Sequence, residues 1–226
     1  MRNSSMIDFS ELKKRFNDRN ISLIAVSKKQ SIEAIQAIYD QGQRLFGENY
    51  VQELVDKYQA LPKNIEWHMI GHMQSNKVKY IAPFVTMIHG VDRWELVETI
   101  QKQAAKYNRS IDILLQIHIA QETSKFGMSI LEAEDLLKHY LQHKTAYPNI
   151  RIRGLMGMAS FTDDETQIQQ EFKSLKTGFD YLKQGHMTFD SNFNILSAGM
   201  SGDYEIAIAE GSNMVRIGSL IFGERQ

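Results

Sequence analysis

Apolar residues along the chain follow two alternating rhythms. Short apolar runs bounded by polar residues, such as Leu23-Ile24-Ala25-Val26 and Ile113-Leu114-Leu115, read as buried strands of a parallel sheet. Between them lie longer stretches whose apolar positions recur three and four residues apart, the spacing of a helix face. A leading helix is predicted over 10–19, with Ser10 as its N-cap and Leu12 and Phe16 on one face. A strand over 22–26 and a helix over 31–41 follow. Ile32, Ile35 and Ile38 share that helix's buried side, and Gly42 is its C-cap.

The same order then repeats. Strands are predicted over 44–46, 66–70, 86–90, 111–119, 151–158, 193–197 and 214–217. Helices are predicted over 50–60, 75–82, 93–107, 131–143, 164–183 and 204–209, with Gly47-Glu48-Asn49 as a loop and a stub of helix after the last strand. Alternating strands and helices imply a parallel sheet. Eight repeats in 226 residues fit a closed (β/α)8 TIM barrel with an extra N-terminal helix, one domain over 1–226, close to the ~250 residues typical of such barrels. An open doubly wound sheet is the alternative topology.

Composition narrows the function classes. A hydrophobic content of 42% supports a sizeable core. The net charge of −1 argues against nucleic acid or an anionic membrane as partner. Without cysteine there is no disulfide, thiolate metal site or cysteine nucleophile. Met1 to Phe9 is polar, unlike a signal peptide, and no apolar run approaches the ~18 residues of a membrane span. The expectation is a soluble cytoplasmic protein.

In a barrel of this kind the chemistry sits at the C-terminal ends of the strands. Lys28 and Lys29 follow the first strand. A partly desolvated lysine there is a better nucleophile and forms a Schiff base with an aldehyde, although two solvated loop charges are the plainer alternative. The loops after strands seven and eight, Ser197-Ala198-Gly199-Met200-Ser201-Gly202 and Gly218-Ser219, supply backbone N–H groups and hydroxyls for an anion. Ser201 serves equally as the N-cap of the next helix. Arg216 shares a strand face with Met214, opposite Val215 and Ile217, so it points into the barrel. There it needs an acceptor, either Glu210 or Glu224 in an ion pair or a ligand atom. His68 and His118 read as satisfied core histidines, and Gly71 between His68 and His72 argues against a helical metal pair. No HExxH, Walker loop, GxGxxG or G-x-S-x-G is present, and no metal site is expected.

Several blocks together carry a resemblance. Ala25-Val26-Ser27-Lys28, Phe46-Gly47-Glu48-Asn49-Tyr50-Val51-Gln52-Glu53, Trp67-His68-Met69-Ile70-Gly71, Gln74-Ser75-Asn76-Lys77, Ser124-Lys125-Phe126-Gly127, Arg153-Gly154-Leu155-Met156, Gly199-Met200-Ser201 and Val215-Arg216-Ile217-Gly218-Ser219, closing on Phe222-Gly223, resemble the YggS/PROSC pyridoxal-phosphate homeostasis proteins. The likeness runs from about Ser22 to Gly223. It implies a barrel similar to the N-terminal domain of alanine racemase, holding pyridoxal 5'-phosphate. By that resemblance Lys28 is the Schiff-base lysine, and Ser201, Gly218 and Ser219 form the phosphate cradle. Arg216 faces the pyridine nitrogen, and Lys125 takes part in cofactor handling. Asn49, His68, Ser197 and Met200 complete the cofactor-binding set. Gln30 and Ser31 follow Lys29 where the family often has a proline.

An arginine cannot give up its proton in practice, so facing the ring nitrogen it leaves the ring a weak electron sink. Alanine-racemase-like enzymes also take one base from a further C-terminal domain, and none is expected after this barrel. The implied role is a carrier or regulator of the cofactor that does no catalysis and supplies apo-enzymes as a monomer or weak dimer. A racemase-like enzyme, a Schiff-base aldolase and a protein–protein module are the rivals.

Overall fold

A computed structural model of the protein describes residues 8–123 and 125–223. The polar start of the chain, Ser124, Glu224 as a partner for Arg216, and the tail to Gln226 lie outside the described residues.

Eight strands run in sequence order: β1 (Ser22–Val26), β2 (Leu45–Glu48), β3 (Glu66–Met69), β4 (Met87–Val91), β5 (Ile111–His118), β6 (Ile150–Met158), β7 (Ile195–Ser197) and β8 (Met214–Ile217). All neighbours pair parallel, and β8 returns to β1 in the register Ser22 with Met214 through Ala25 with Ile217. That closure makes a barrel and rules out the open sheet. The helices are α1 (Phe9–Asp18), α2 (Ile32–Asp40), α3 (Val51–Ala60), α4 (Val78–Ile81), α5 (Trp94–Lys106), α6 (Ile130–Gln142), α7 (Glu165–His186), α8 (Tyr204–Ala209) and α9 (Ser219–Phe222). Among the described residues no helix is long and apolar enough to cross a membrane.

Three local expectations are corrected. The cap of α1 is Asp8, whose carboxylate accepts from the Ser10 N–H at 3.0 Å, so the helix starts one residue before Ser10. The helix predicted over 75–82 is a 3-10 turn at Ser75–Lys77 followed by the single turn of α4. Gly47 and Glu48 are strand rather than loop, pairing with His68 and Met69. Gly47 is needed there for packing: a Cβ would lie 2.8 Å from Ile24 Cγ2.

The larger core lies between the strands and the helices and holds Trp67, Phe46, Phe172 and Leu54. A smaller one fills the barrel itself, built from Ile24, Met87, Leu114, Met156 and Met214 with Leu45, Met158 and Ile195 against them. Strand β6 keeps both faces in register through a bulge at Gly154, whose φ is +148°. Below it Asp112 holds Arg151 and Arg153, each at 2.6 Å, at the N-terminal end of the barrel. α1 packs beside α8, with Phe16 edge-on to Tyr204 at 5.4 Å and Arg15 and Arg19 paired to Glu205.

Candidate functional site

The C-terminal ends of the strands surround a cavity of about 620 Å³. Lys28, Asn49, Met200, Ser201, Arg216, Gly218 and Ser219 from the expected set line it. So do Gly71, His72, Gln116, Phe126, Met158 and Phe161, which sequence reasoning did not select. Among the described residues no carboxylate contributes to the wall. Lys28 lines the cavity and is half-buried, whereas Lys29 is exposed. The tertiary structure thus separates two lysines that the sequence alone left equivalent.

The far side of the cavity is formed by the two glycine–serine turns. Ser201 does not cap α8. Its Oγ accepts the Gly218 N–H at 3.3 Å and ties the turn after β7 to the turn after β8. Asp203 stands at the α8 N-terminus instead, and its carboxylate accepts the Met200 N–H at 2.6 Å. Burial pushes the Asp203 carboxyl above its usual range, against the pull of that N–H and of Arg216.

Arg216 points inward as the strand alternation requires, since Met214 packs inside the barrel while Val215 and Ile217 pack under the helices. It makes no ion pair with Glu210, which binds Gln169 instead at 2.7 Å. One terminal nitrogen donates to the Ser197 carbonyl at 2.9 Å and to its Oγ at 2.7 Å, and the other to the Gly157 carbonyl at 3.0 Å. Three of the five N–H groups of a guanidinium are thereby used, and two remain. Burial lowers Arg216 to about 10, opposed by the attraction of Asp203, so it stays charged at neutral pH.

His68 and Ser197 sit one layer below the cavity wall, fully buried. They belong to a chain of hydrogen bonds across the barrel interior. His68 Nδ1 lies 2.9 Å from His89 Nε2, and His89 Nδ1 lies 3.2 Å from Ser197 Oγ. Ser197 Oγ accepts from Arg216 and keeps one proton and one lone pair; in the arrangement where that proton goes to His89 Nδ1, His89 Nε2–H donates to His68. That arrangement uses every proton of the chain between Arg216 and His68. Both rings are neutral: burial lowers His68 to about 3 and holds His89 well below the usual imidazole value, helped by His68 and Arg216. His68 is therefore a buried histidine bonded through Nδ1 to His89 and linked through His89 and Ser197 to Arg216. His89 went unselected, although its alternation with Met87 on β4 is the same signal that turned Arg216 inward.

His118 is half-buried, and its Nδ1 contacts the Lys125 carbonyl at 2.8 Å. His72 is exposed, with its ring stacked 3.8 Å from Phe126. Lys125 does not reach the main cavity. It donates to the Ala159 carbonyl at 2.6 Å and lines a smaller space of about 390 Å³ that shares Met158, Phe161, Met200 and Gly202 with the larger one. Three exposed apolar side chains mark the mouth: Phe161, 99% exposed, with Phe126 and Met200.

The family model "Alanine racemase, N-terminal domain" matches residues 8–226. The pyridoxal phosphate homeostasis protein of Pasteurella multocida is 41% identical over 208 residues, which is 91% of this chain and 87% of that one. Its namesake from Aquifex aeolicus is 38% identical over 205 residues, 90% of this chain and 87% of that one. PipY of Synechococcus elongatus PCC7942, solved with pyridoxal phosphate bound, superposes with a TM-score of 0.81 at 31% identity, covering 96% of this chain and all of PipY.

Proposed function

Because the chain belongs to the family of pyridoxal phosphate homeostasis proteins, built on the alanine racemase N-terminal domain, we propose that it binds pyridoxal 5'-phosphate through Lys28 and acts as a cofactor carrier. The observation that carries this reading is the convergence of Lys28, Arg216 and the Ser201, Gly218 and Ser219 turns on one cavity free of carboxylates. The group fits that cavity in three respects. Lys28 offers an amine, two turns offer N–H and hydroxyl donors for a phosphate, and Arg216 keeps spare donors for a ring nitrogen. The volume of about 620 Å³ lies within the range of small-molecule sites, roughly 300–1,000 Å³. When bound, the cofactor supplies an aldehyde that a lysine amine captures as a Schiff base.

The protein's own groups favour holding over turnover. Arg216 arrives already charged and braced by Ser197 and Gly157, so it keeps a positive charge rather than a proton shuttle at its end of the site. Racemisation needs a base on each face of the substrate. Among the described residues the wall offers Lys28 and one imidazole, His72, which is stacked on Phe126. The apolar rim of Phe126, Phe161 and Met200 suits transient contact with recipient apo-enzymes in the cytoplasm.

Borohydride reduction of the pure protein after incubation with pyridoxal phosphate, followed by peptide mass mapping, tests the reading. The expected adduct is on Lys28 and is lost in Lys28→Ala. An adduct on Lys29 moves the site by one residue. No adduct, together with no rise in melting temperature, refutes cofactor binding. Exchange of amino-acid α-protons at enzymic rates, lost in Lys28→Ala, would replace the carrier with a racemase-like enzyme.

A further inference from the structure

The turn that presents Lys28 holds a backbone conformation unfavourable to its own sequence. The Gln30 N–H donates to the Ser27 carbonyl at 3.0 Å, closing a tight turn with Lys28 and Lys29 at its centre. Lys29 has φ +61°, in the left-handed region where glycine or asparagine is favoured over lysine. Such conformations persist only where the surroundings over-determine them, and they gather at functional sites.

The surroundings here are a buried ionic cluster from β2 and α3. Lys57 is 4% exposed, and its ammonium uses all three protons: on the Ser27 carbonyl at 2.6 Å, on Glu48 Oε1 at 2.8 Å and on Glu53 Oε1 at 2.7 Å. The same Glu53 oxygen accepts the Lys29 N–H, and Glu48 Oε1 also accepts the Ser27 hydroxyl at 2.5 Å. The start of the turn at Ser27 and its centre at Lys29 are thus held through one ammonium and two carboxylates. The second Glu48 oxygen is buried without a partner. A buried ion pair is a poor source of stability compared with apolar residues of the same volume, so geometry is the better reason for this one.

Resting on the cofactor reading, we propose that Lys57, with Glu48 and Glu53, is a positioning device for Lys28. It holds the turn in the one conformation that delivers the Lys28 amine into the cavity. The step it serves is addition of Nζ to the aldehyde carbon, loss of one water and formation of a C=N bond. The cluster touches none of the reacting atoms and acts only through the backbone from Ser27 to Gln30.

The test compares two ligands across four proteins: wild type, Lys57→Met, Glu53→Gln and Lys57→Met with Lys29→Gly. Pyridoxal phosphate reports covalent capture, followed as the rate at which the imine band appears. Pyridoxine 5'-phosphate, the alcohol analogue, reports non-covalent seating by calorimetry. Lys57→Met is expected to slow capture at least about tenfold, since small misplacements of a reacting group are costly. Its affinity for pyridoxine 5'-phosphate should change less than about threefold, because the phosphate and ring contacts are untouched. Glu53→Gln, which keeps an acceptor without the charge, should show a smaller slowing and guards against a Lys57 variant that fails to fold. Lys29→Gly should restore most of the rate in the Lys57→Met background, because glycine enters the left-handed region without the clamp. Unchanged capture in a folded variant, equal weakening of both ligands, or no rescue by Lys29→Gly overturns the proposal. A wild-type protein that binds pyridoxine 5'-phosphate but forms no imine refutes the cofactor reading itself, and the clamp with it.

Discussion

The barrel interior has two storeys, and they obey different physics. The lower one, with Ile24, Met87, Leu114, Met156 and Met214, is apolar and is held by close packing. The upper one holds His68, His89, Gln116, Ser197 and Arg216, of which His89, Gln116 and Arg216 stand two residues beyond Met87, Leu114 and Met214. Packing is non-directional and tolerates rearrangement. A buried hydrogen-bond chain does not, because each member needs its partner at a fixed end. The strand period of two supplies both storeys by the same rule, so the difference lies wholly in which residue stands at each inward position.

Four measurements would break or sharpen that contrast. The largest single-substitution effect is expected in the lower storey: Leu114→Ala should cost about 2–5 kcal/mol in urea unfolding, and equally at pH 7 and pH 5, since the side chains packed with it in that storey are apolar. A loss that differs between the two pH values would show that the storeys are coupled. Next is Arg216→Met, which keeps volume but leaves acceptors at Ser197 and Gly157 unpaired, for about 1–3 kcal/mol. The histidine rings should then lose their single tautomer in nitrogen NMR, and bound pyridoxal phosphate should change its absorption. A variant with an unaltered spectrum would separate Arg216 from the ring.

Acidification should act on the upper storey alone. The folded pKa of His68 is lowered to about 3, and that of His89 is also lowered by burial. The unfolded chain therefore takes up protons first, near the ordinary imidazole value of about 6.5. Stability is whole above that pH and falls as pH drops towards 3, by up to about 1.4 kcal/mol per pH unit for each histidine. His68→Gln should roughly halve the slope, and an unchanged slope would move the acid sensitivity elsewhere. The smallest effect belongs to Ser201→Ala, which removes the bond to the Gly218 N–H and should cost only about 0.5–1.5 kcal/mol. Its affinity for pyridoxal phosphate should fall while that for pyridoxal, which lacks the phosphate, is kept.

Much of the architecture was legible in the chain. Strands β1 and β8 and helix α8 have the bounds that periodicity predicts, because each is short and flanked by clear polar breaks. The sequence pattern puts Glu48 in a loop because Gly47 looks like a turn residue, and only the close approach of Gly47 to Ile24 shows why glycine stands in a strand. The inward direction of Arg216 followed from alternation. Its acceptors did not, because the bonds to Ser197 and Gly157 join segments 19 and 59 residues away. His68 was readable as core but not as the partner of His89. For Ser201 the sequence offers an anion donor or a helix cap, but not the bond by which its hydroxyl spans two loops.

The sequence by itself determined the eight-fold alternation, the inward parity of each strand and the reservoir of amine, arginine and glycine–serine turns at one end. These are local properties, set by period and by residue chemistry within a few positions. Only the tertiary structure decided that Lys28 rather than Lys29 lines the cavity, that Ser197 and His89 extend the reach of Arg216, and that Lys57 holds the turn from below. The last two rest on atoms brought within about 3 Å from segments that no local pattern relates.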